Sequence, residues 1–290
     1  MTGRRGRDYV DLTKPRITGF VVLTAALGYW LGSGAAVDLV RLCSLLMGTA
    51  LVSGGTNALN QWWERDIDAR MPRTRRRPVA SGRLPPRHAL LFGIAIGIGG
   101  TVLLFWGTNA LTGTLAALTL ASYVFVYTPL KRRSALNVFI GSVPGALPIM
   151  GGWAAASGRL DPTAWLLFCL LFLWQLPHTF ALAWMLKDEY RVAGLRMPGG
   201  DDLSGRRTAF RGVIAGVALL AASLALAPSG TPGGVYGGTA LAIGLFLIAV
   251  MGAWMWRPSV RSARRAFLAT LAYLPAVLSV LGLASAFRSP

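Results

Sequence analysis

Cysteine, histidine and acid are scarce in this chain. Two cysteines, two histidines and eleven Asp and Glu residues stand among 290. So few thiols and imidazoles, set far apart, exclude a disulfide scaffold, a structural zinc site, an iron–sulfur cluster and a c-type haem attachment. Cys43 and Cys169 lie within apolar runs and form no close pair, so they read as inert packing residues. No Ser or Cys sits in a constellation that would activate a nucleophile, which argues against covalent catalysis. Charge of either sign is also thin, at 14%, too little for a soluble domain of this length.

What the chain has instead is apolar length. Hydrophobic residues make up 54%, and runs long enough to cross a bilayer read at 17 to 34, 39 to 60, 89 to 107, 109 to 127, 136 to 156, 163 to 186, 209 to 228, 235 to 256 and 266 to 287. The expected fold class is all-α, a polytopic membrane protein with about nine transmembrane helices in a bundle. The N-terminus is polar through Arg16 and shows no small-residue cleavage pattern, so no cleavable signal peptide is expected.

The net charge of +18 follows from orientation. With a cytoplasmic N-terminus, 26 of the 29 Lys and Arg residues fall on the inner side, and only Arg41, Arg159 and Arg288 fall outside. Positive-inside placement and attraction to anionic lipid heads account for the excess, and nucleic acid is not an expected partner. Inner loops are long, whereas the outer turns near Gly107, Gly158 and Pro228 to Gly233 carry almost no charge. The chemistry therefore belongs on the cytoplasmic face of the cell membrane, with Pro290 outside. Seven of the eleven acids follow the second or the sixth span. Those two helices end alike, in acids followed by arginines, which suggests a duplicated four-helix unit with one helix added.

The first acidic cluster carries the sharpest pattern. Asn60, Glu64 and Asp68 recur every four residues and share one helical face, while Asp66 points away and can pair with Arg70. Magnesium takes one or two carboxylates together with substrate phosphate oxygens, and this face offers that set. Arg73 and Arg77, beyond the turn at Pro72, can grip the same phosphates bidentately, whereas Arg75 and Arg76 read as lipid-facing. A metal-bridged diphosphate site is one reading, and a solvated loop of positive-inside arginines is the other. Tyr127 and Lys131 flank Pro129 at the rim of an inner cavity or, equally, form an interface belt. The fifth segment holds Gly141, Pro144, Gly145, Pro148, Gly151 and Gly152, which fits close helix packing or a broken helix beside a large ligand. In the sixth, His178 is either a functional imidazole inside the membrane or a residue satisfied by a carbonyl that Pro177 frees. If that helix continues, Glu189 lies nearly in line with His178, about 16 Å along the axis.

Several motifs in order then carry a resemblance: Leu12-Thr-Lys14-Pro15-Arg16-Ile17, Asn60 through Asp68, Met71-Pro-Arg73-Thr74 with Arg77-Pro78, Tyr127-Thr-Pro with Lys131-Arg132, Pro177-His178, and Tyr190 with Ala193-Gly194. Over nearly the whole chain the sequence resembles the UbiA-type intramembrane prenyltransferases, and among them the protoheme IX farnesyltransferases, or haem O synthases. The resemblance implies a single transmembrane prenyltransferase domain over residues 1–290, nine helices around a central cavity, and magnesium as cofactor. The implied reaction is farnesyl transfer from farnesyl diphosphate to a vinyl group of haem B. It puts Asn60, Glu64, Asp68, Arg73, Arg77 and Lys131 at the reacting diphosphate and Asn60, Glu64, Asp68, Asp188 and Glu189 at metal. His178, Tyr127, Lys131 and Arg132 fall to substrate and haem binding, and a haem A synthase is the implied partner protein. Glu64 stands where the family most often has aspartate, and Asp188-Glu189 reverses the usual acid order before Tyr190, which leaves open which of the two meets a second metal. Prenylation of a quinone precursor is the alternative within enzymes. A secondary transporter is the alternative outside them, though its ionisable groups would gather near the midplane.

Overall fold

The computed structural model describes residues 2–34, 37–227 and 231–286, and every regular element among them is helical. The order is α1 (Thr2–Leu12), α2 (Pro15–Gly32), α3 (Leu39–Trp63), α4 (Arg65–Asp68), α5 (Pro86–Gly107), α6 (Ala110–Ala121), a π-helical turn (Ser122–Tyr127), α7 (Thr128–Leu130), α8 (Asn137–Ser157), α9 (Pro162–Met185), α10 (Lys187–Val192), α11 (Arg206–Ala225), α12 (Thr231–Trp256) and α13 (Val260–Ala286). Among the described residues eight stretches are long and apolar enough to cross a membrane: α3, α5, Ala110–Leu130, α8, α9, α11, α12 and α13. The first expected run, 17 to 34, overlaps α2, whose 18 residues span about 27 Å but which is not one of those eight. The turn expected at Pro228 to Gly233 lies partly outside the described residues, and Arg288 and Pro290 lie wholly outside them.

Local sequence sets the helix starts. Asp38, Asn109 and Asp161 each accept a backbone N–H from the first turn of α3, α6 and α9, the usual N-cap contact. Pro15, Pro86 and Pro162 occupy opening positions where no N–H is needed. An element the sequence reading missed is α1, an amphipathic helix within the polar N-terminus. Its last residue, Leu12, is fully buried against Ala58, Val79, Leu84 and Ala89.

The chain forms two compact units. One runs through Leu160 and includes Glu189–Arg196; the other comprises Asp161–Asp188 and the chain from Met197 onward. In the first, small residues let backbones approach. A Cβ on Gly28 would strike the Ile149 carbonyl, and one on Gly152 the Ala25 carbonyl, so α2 and α8 interlock reciprocally. The Gly and Pro content of α8 therefore serves close packing, and the helix runs unbroken through Pro144 and Pro148. In the second unit, Tyr236, Trp254 and Tyr273 are essentially fully buried, and the Ser223 and Tyr273 hydroxyls meet at 2.7 Å. Asp202 accepts from the Gly205 and Thr208 N–H groups and caps α11; these bonds hold its carboxyl below the usual value although burial opposes them. Cys43 and Cys169 are exposed on their helices and are not packing residues of the interior.

Candidate active site

The acid and amide row of α3 and α4 keeps its register across a break. α3 ends at Trp63, and Glu64 leaves helical geometry at φ −92, ψ 8. Even so, the Glu64 N–H donates to the Asn60 carbonyl at 2.9 Å, and the Asp68 N–H donates to the Glu64 carbonyl at 2.7 Å. Asn60, Glu64 and Asp68 thus stay stacked one turn apart, and all three are buried.

Each is met by one cation. Lys14 Nζ donates to Asn60 Oδ1 at 3.1 Å, Lys131 Nζ to Glu64 Oε1 at 2.8 Å, and Arg77 Nη1 to both Asp68 oxygens at 2.7 Å. The electrostatics follow from burial and crowding. Burial pushes the Glu64 carboxyl up, but the Lys131 charge and hydrogen bond outweigh it and leave the net value low. Burial pushes Asp68 up, and Arg77 only partly draws it back. Lys131 is held above the ordinary lysine value: burial alone would lower it, and Glu64 reverses the sign. Lys14 falls to about 7, through burial first and then the neighbouring Arg77 and Lys131 charges. A buried group with two like charges close by is the least comfortable member of the set.

Local structure explains why these cations converge. The π turn widens the helix before Pro129, Thr128 Oγ1 donates back to the Tyr123 carbonyl at 2.9 Å, and Asn60 Nδ2 donates to Thr128 Oγ1 at 3.5 Å. Such turns recur at functional sites. Lys131 Nζ lies 4.5 Å over the Tyr127 ring, so Tyr127 and Lys131 do sit together. Thr74 Oγ1 donates to the Asp68 carbonyl at 2.9 Å, which folds the loop so that Arg77 returns to Asp68.

Lys14 is the residue that sequence reasoning left out of the site, although its motif was quoted. It lies at the α1–α2 turn, 46 positions from Asn60. Three amides of α3 hold that turn: Gln61 Nε2 donates to the Leu12 carbonyl at 2.9 Å, Asn57 Nδ2 to the Thr13 carbonyl at 3.3 Å, and Asn60 takes the ammonium itself.

Other expected residues are not gathered into this row. Arg73 and Arg132 are exposed and make no hydrogen bond or ion pair to it among the described residues. Asp66 pairs with Arg65 at 3.8 Å rather than Arg70, because the short α4 ends before an i+4 partner can share its face. Glu189 belongs with the first unit and Asp188 with the second; Tyr190 beside them is buried, which raises its hydroxyl above the ordinary value. α9 stops at Met185, with Leu186 at φ −106, ψ 16. The continuous helix that would align Glu189 with His178 does not exist. His178 lies in the second unit, its ring 4.9 Å from Trp174 and 4.6 Å from Phe267. Its Nδ1 meets Thr270 Oγ1 at 2.9 Å, so the partner on that nitrogen is a threonine hydroxyl and not the carbonyl freed by Pro177 that one of the two readings invoked.

Among the described residues no group of three or more His, Cys, Asp or Glu side chains is placed to hold a metal ion. The Asn60, Glu64 and Asp68 oxygens are nonetheless hard donors of the kind magnesium accepts when phosphate completes its shell. The donor set fits a metal that arrives with a diphosphate, not a resident ion in a protein cage.

An all-helical membrane bundle that sets cations over a buried acid and amide row has the architecture of an intramembrane prenyl-transfer enzyme, and the chain belongs to the UbiA prenyltransferase family, whose model matches residues 21–280. Within that family it belongs with the protoheme IX farnesyltransferases. It is 43% identical to the protoheme IX farnesyltransferase of Solibacter usitatus (strain Ellin6076) over 95% of this chain and 97% of that one. It is 44% identical to that of Anaeromyxobacter dehalogenans (strain 2CP-C) over 92% and 90%. The fold also matches a UbiA homologue from Archaeoglobus fulgidus solved with GPP and Mg2+, with a TM-score of 0.70 at 15% identity over 94% of this chain and 99% of that one. The chain is an integral membrane protein and a prenyltransferase.

Proposed function

We propose that the chain transfers the farnesyl group of farnesyl diphosphate to a vinyl group of haem B, water supplying the hydroxyl, to give haem O and diphosphate. The observation that carries this reading is the pairing of Lys14, Lys131 and Arg77 with Asn60, Glu64 and Asp68. In that row Lys131 and Arg77 neutralise the Glu64 and Asp68 carboxylates and Lys14 sits on the Asn60 carboxamide oxygen, so Asn60, Glu64 and Asp68 would hold a magnesium brought in with the diphosphate and the three cations would meet its phosphates. Magnesium, once bound, supplies Lewis-acid stabilisation of charge on the departing diphosphate. Lys14, Lys131 and Arg77 add fixed positive charge where that negative charge develops, and their partly water-excluded setting raises the effect of each. The Tyr127 face beside Lys131 can accept the allylic cation as the carbon–oxygen bond breaks. The vinyl carbon then attacks that cation, so no protein nucleophile is needed.

In this reading Arg73 reaches the phosphates from the loop rim, one of Asp188 and Glu189 meets a second metal, and His178 and Arg132 serve haem binding. Residues 1–290 act as one catalytic domain. The enzyme lies in the cell membrane with the N-terminus and the site cytoplasmic and the C-terminus outside, and hands haem O to a haem A synthase. The test is direct. Purified protein in detergent is given haem B and farnesyl diphosphate with and without magnesium, and extracted haems are weighed by mass spectrometry. A magnesium-dependent haem O peak supports the reading; farnesyl diphosphate consumption with a quinone precursor and not with haem overturns it.

A further inference from the structure

The cations of the acid row come from separate segments, and the segments that carry Lys14 and Arg77 meet at Arg83. Its guanidinium faces both. On one side Nε donates to Asp8 Oδ1 at 2.9 Å, and Nη2 lies 4.0 Å from Asp11 Oδ2. Asp8 and Asp11 share a face of α1, and the Asp8 side chain is only 10% exposed. On the other side Nη1 donates to the Arg76 carbonyl at 2.8 Å. The same two segments also share an apolar contact, since Leu12 packs in one cluster with Val79 and Leu84.

Each polar contact lies just before a cation of the row. From Asp8 the chain reaches Lys14 without slack: the Thr13 N–H donates to the Val10 carbonyl at 3.1 Å, and the Lys14 N–H to the Asp11 carbonyl at 3.3 Å. Fixing Asp8 therefore fixes the base of Lys14, about 9 Å further along the helix axis. In the loop, the Arg76 carbonyl and the Arg77 N–H belong to one planar peptide. Arg83 holds the oxygen of that plane and the Thr74 carbonyl takes its N–H at 2.9 Å, so the base of Arg77 is held at both edges. We infer that Arg83 is a positioning residue that sets the spacing of Lys14 and Arg77, so that one side chain places two of the cations that meet the diphosphate. The inference rests on the proposed diphosphate role of the acid row. A guanidinium suits the task because its donors form a rigid planar fork, whereas an ammonium is a point charge that cannot hold Asp8 and the Arg76 carbonyl in one fixed geometry. Lys131 provides the contrast. It follows α7, a segment to which Arg83 makes no hydrogen bond or ion pair among the described residues.

The experiment measures equilibrium binding of farnesyl diphosphate, with magnesium and no haem, to the full chain with and without Arg83→Lys, together with a thermal melt of each variant. Lysine keeps the charge beside Asp8 and loses the fork. Arg83→Lys is expected to weaken binding about tenfold alone, about threefold once Lys14→Met or Arg77→Met is present, and less than about twofold when both are, as for residues that act through one another. In a Lys131→Met background the loss should stay about tenfold. A residue that only supports the fold weakens binding equally in every background. The full loss in the Lys14→Met and Arg77→Met pair, or no loss in folded Arg83→Lys, overturns the inference. If Arg83→Lys does not fold, Asp8→Asn decides, because it loosens the α1 side alone: its loss of about threefold should vanish with Lys14→Met and persist with Arg77→Met. Any other pattern overturns the inference. Because binding is read without acceptor, the expected coupling with no prenylated haem overturns the haem reading and leaves the junction standing. Haem prenylation with additive losses does the reverse.

Discussion

Lys14 reaches the Asn60 carboxamide oxygen at 3.1 Å from a backbone at φ 47, ψ 68, the one non-glycine left-handed residue described. A side chain pays a steric penalty there, and a following proline narrows the choice further. Strain of this kind persists where surrounding structure over-determines it, and it concentrates at functional sites. With its ammonium poised at about 7, Lys14 is charged below that pH and neutral above it. Diphosphate binding needs the cation, so kcat/KM, which reports the free enzyme, is expected to fall as pH rises through about 7. Lys14→Arg keeps its charge and should flatten that limb, and Lys14→Met should lose it together with most activity. A profile in Lys14→Arg that still falls at the same pH assigns the limb to another group.

Gln61 and Asn57 act on the same cation at one remove, by holding the Leu12 and Thr13 carbonyls. Gln61→Leu is expected to raise the farnesyl diphosphate KM about tenfold with a smaller change in kcat. In a Lys14→Met background the same substitution should cost little, a coupling on the order of 1 kcal/mol in a double-mutant cycle. Additive losses that track a falling Tm would make Gln61 a fold residue only.

Glu64 and Asp68 are buried beneath Lys131 and Arg77, whereas the Asp66 side chain is 78% exposed and only 3.8 Å from Arg65. Glu64→Gln and Asp68→Asn should each lower kcat by about two to three orders of magnitude, the scale of losing one preorganised charge at developing transition-state charge. Asp66→Asn should stay within about twofold. Parallel magnesium titrations of the three folded variants decide between this and the solvated-loop reading, which requires equal, mild losses.

Much of this was legible because it is local. Spacing of four put Asn60, Glu64 and Asp68 on one line, and the backbone bonds across Glu64 preserve that line even though the helix ends. Apolar run length located the spans. Lys14 was hidden because its partner is far away in sequence, and α1 because a polar segment carries its one buried anchor, Leu12, at its last position. The alignment of Glu189 with His178 failed on a break at Leu186 that no Gly or Pro announces. For α8, composition alone could not separate a broken helix from a tightly packed one, and the Ala25 and Ile149 carbonyls decided it.

The packing claim has a matched control. Gly152 faces the Ala25 carbonyl, and its neighbour Gly151 has nothing within 4 Å of an added Cβ. Gly152→Ala should destabilise by about 1–3 kcal/mol or more, the cost of overpacking, while Gly151→Ala should be near neutral or slightly stabilising through helix propensity. Detergent thermal melts of both variants measure the difference. Equal Tm values would show that α2 and α8 can separate without loss.

His178 offers the most specific chemistry outside the acid row. Thr270 has one hydroxyl proton, and its oxygen lies 2.6 Å from the Phe267 carbonyl, to which it donates. The 2.9 Å contact with His178 Nδ1 must then be donated by the imidazole, which fixes the Nδ1–H tautomer and leaves the lone pair on Nε2. Trp174, stacked on the ring and bonded through Nε1 to the Thr270 carbonyl at 2.6 Å, holds that orientation. Nε2 is the atom an imidazole offers to haem iron, and a partner on the other nitrogen strengthens it as a ligand. Haem B titrated into the protein is therefore expected to give a shifted Soret band that His178→Ala loses and added imidazole restores, with farnesyl diphosphate affinity nearly intact. Thr270→Val should weaken haem binding severalfold without abolishing it, because the ring keeps its stack and loses only its tautomer lock. A Soret titration unchanged in His178→Ala, with only the Tm lowered, makes the histidine a packing residue satisfied by Thr270.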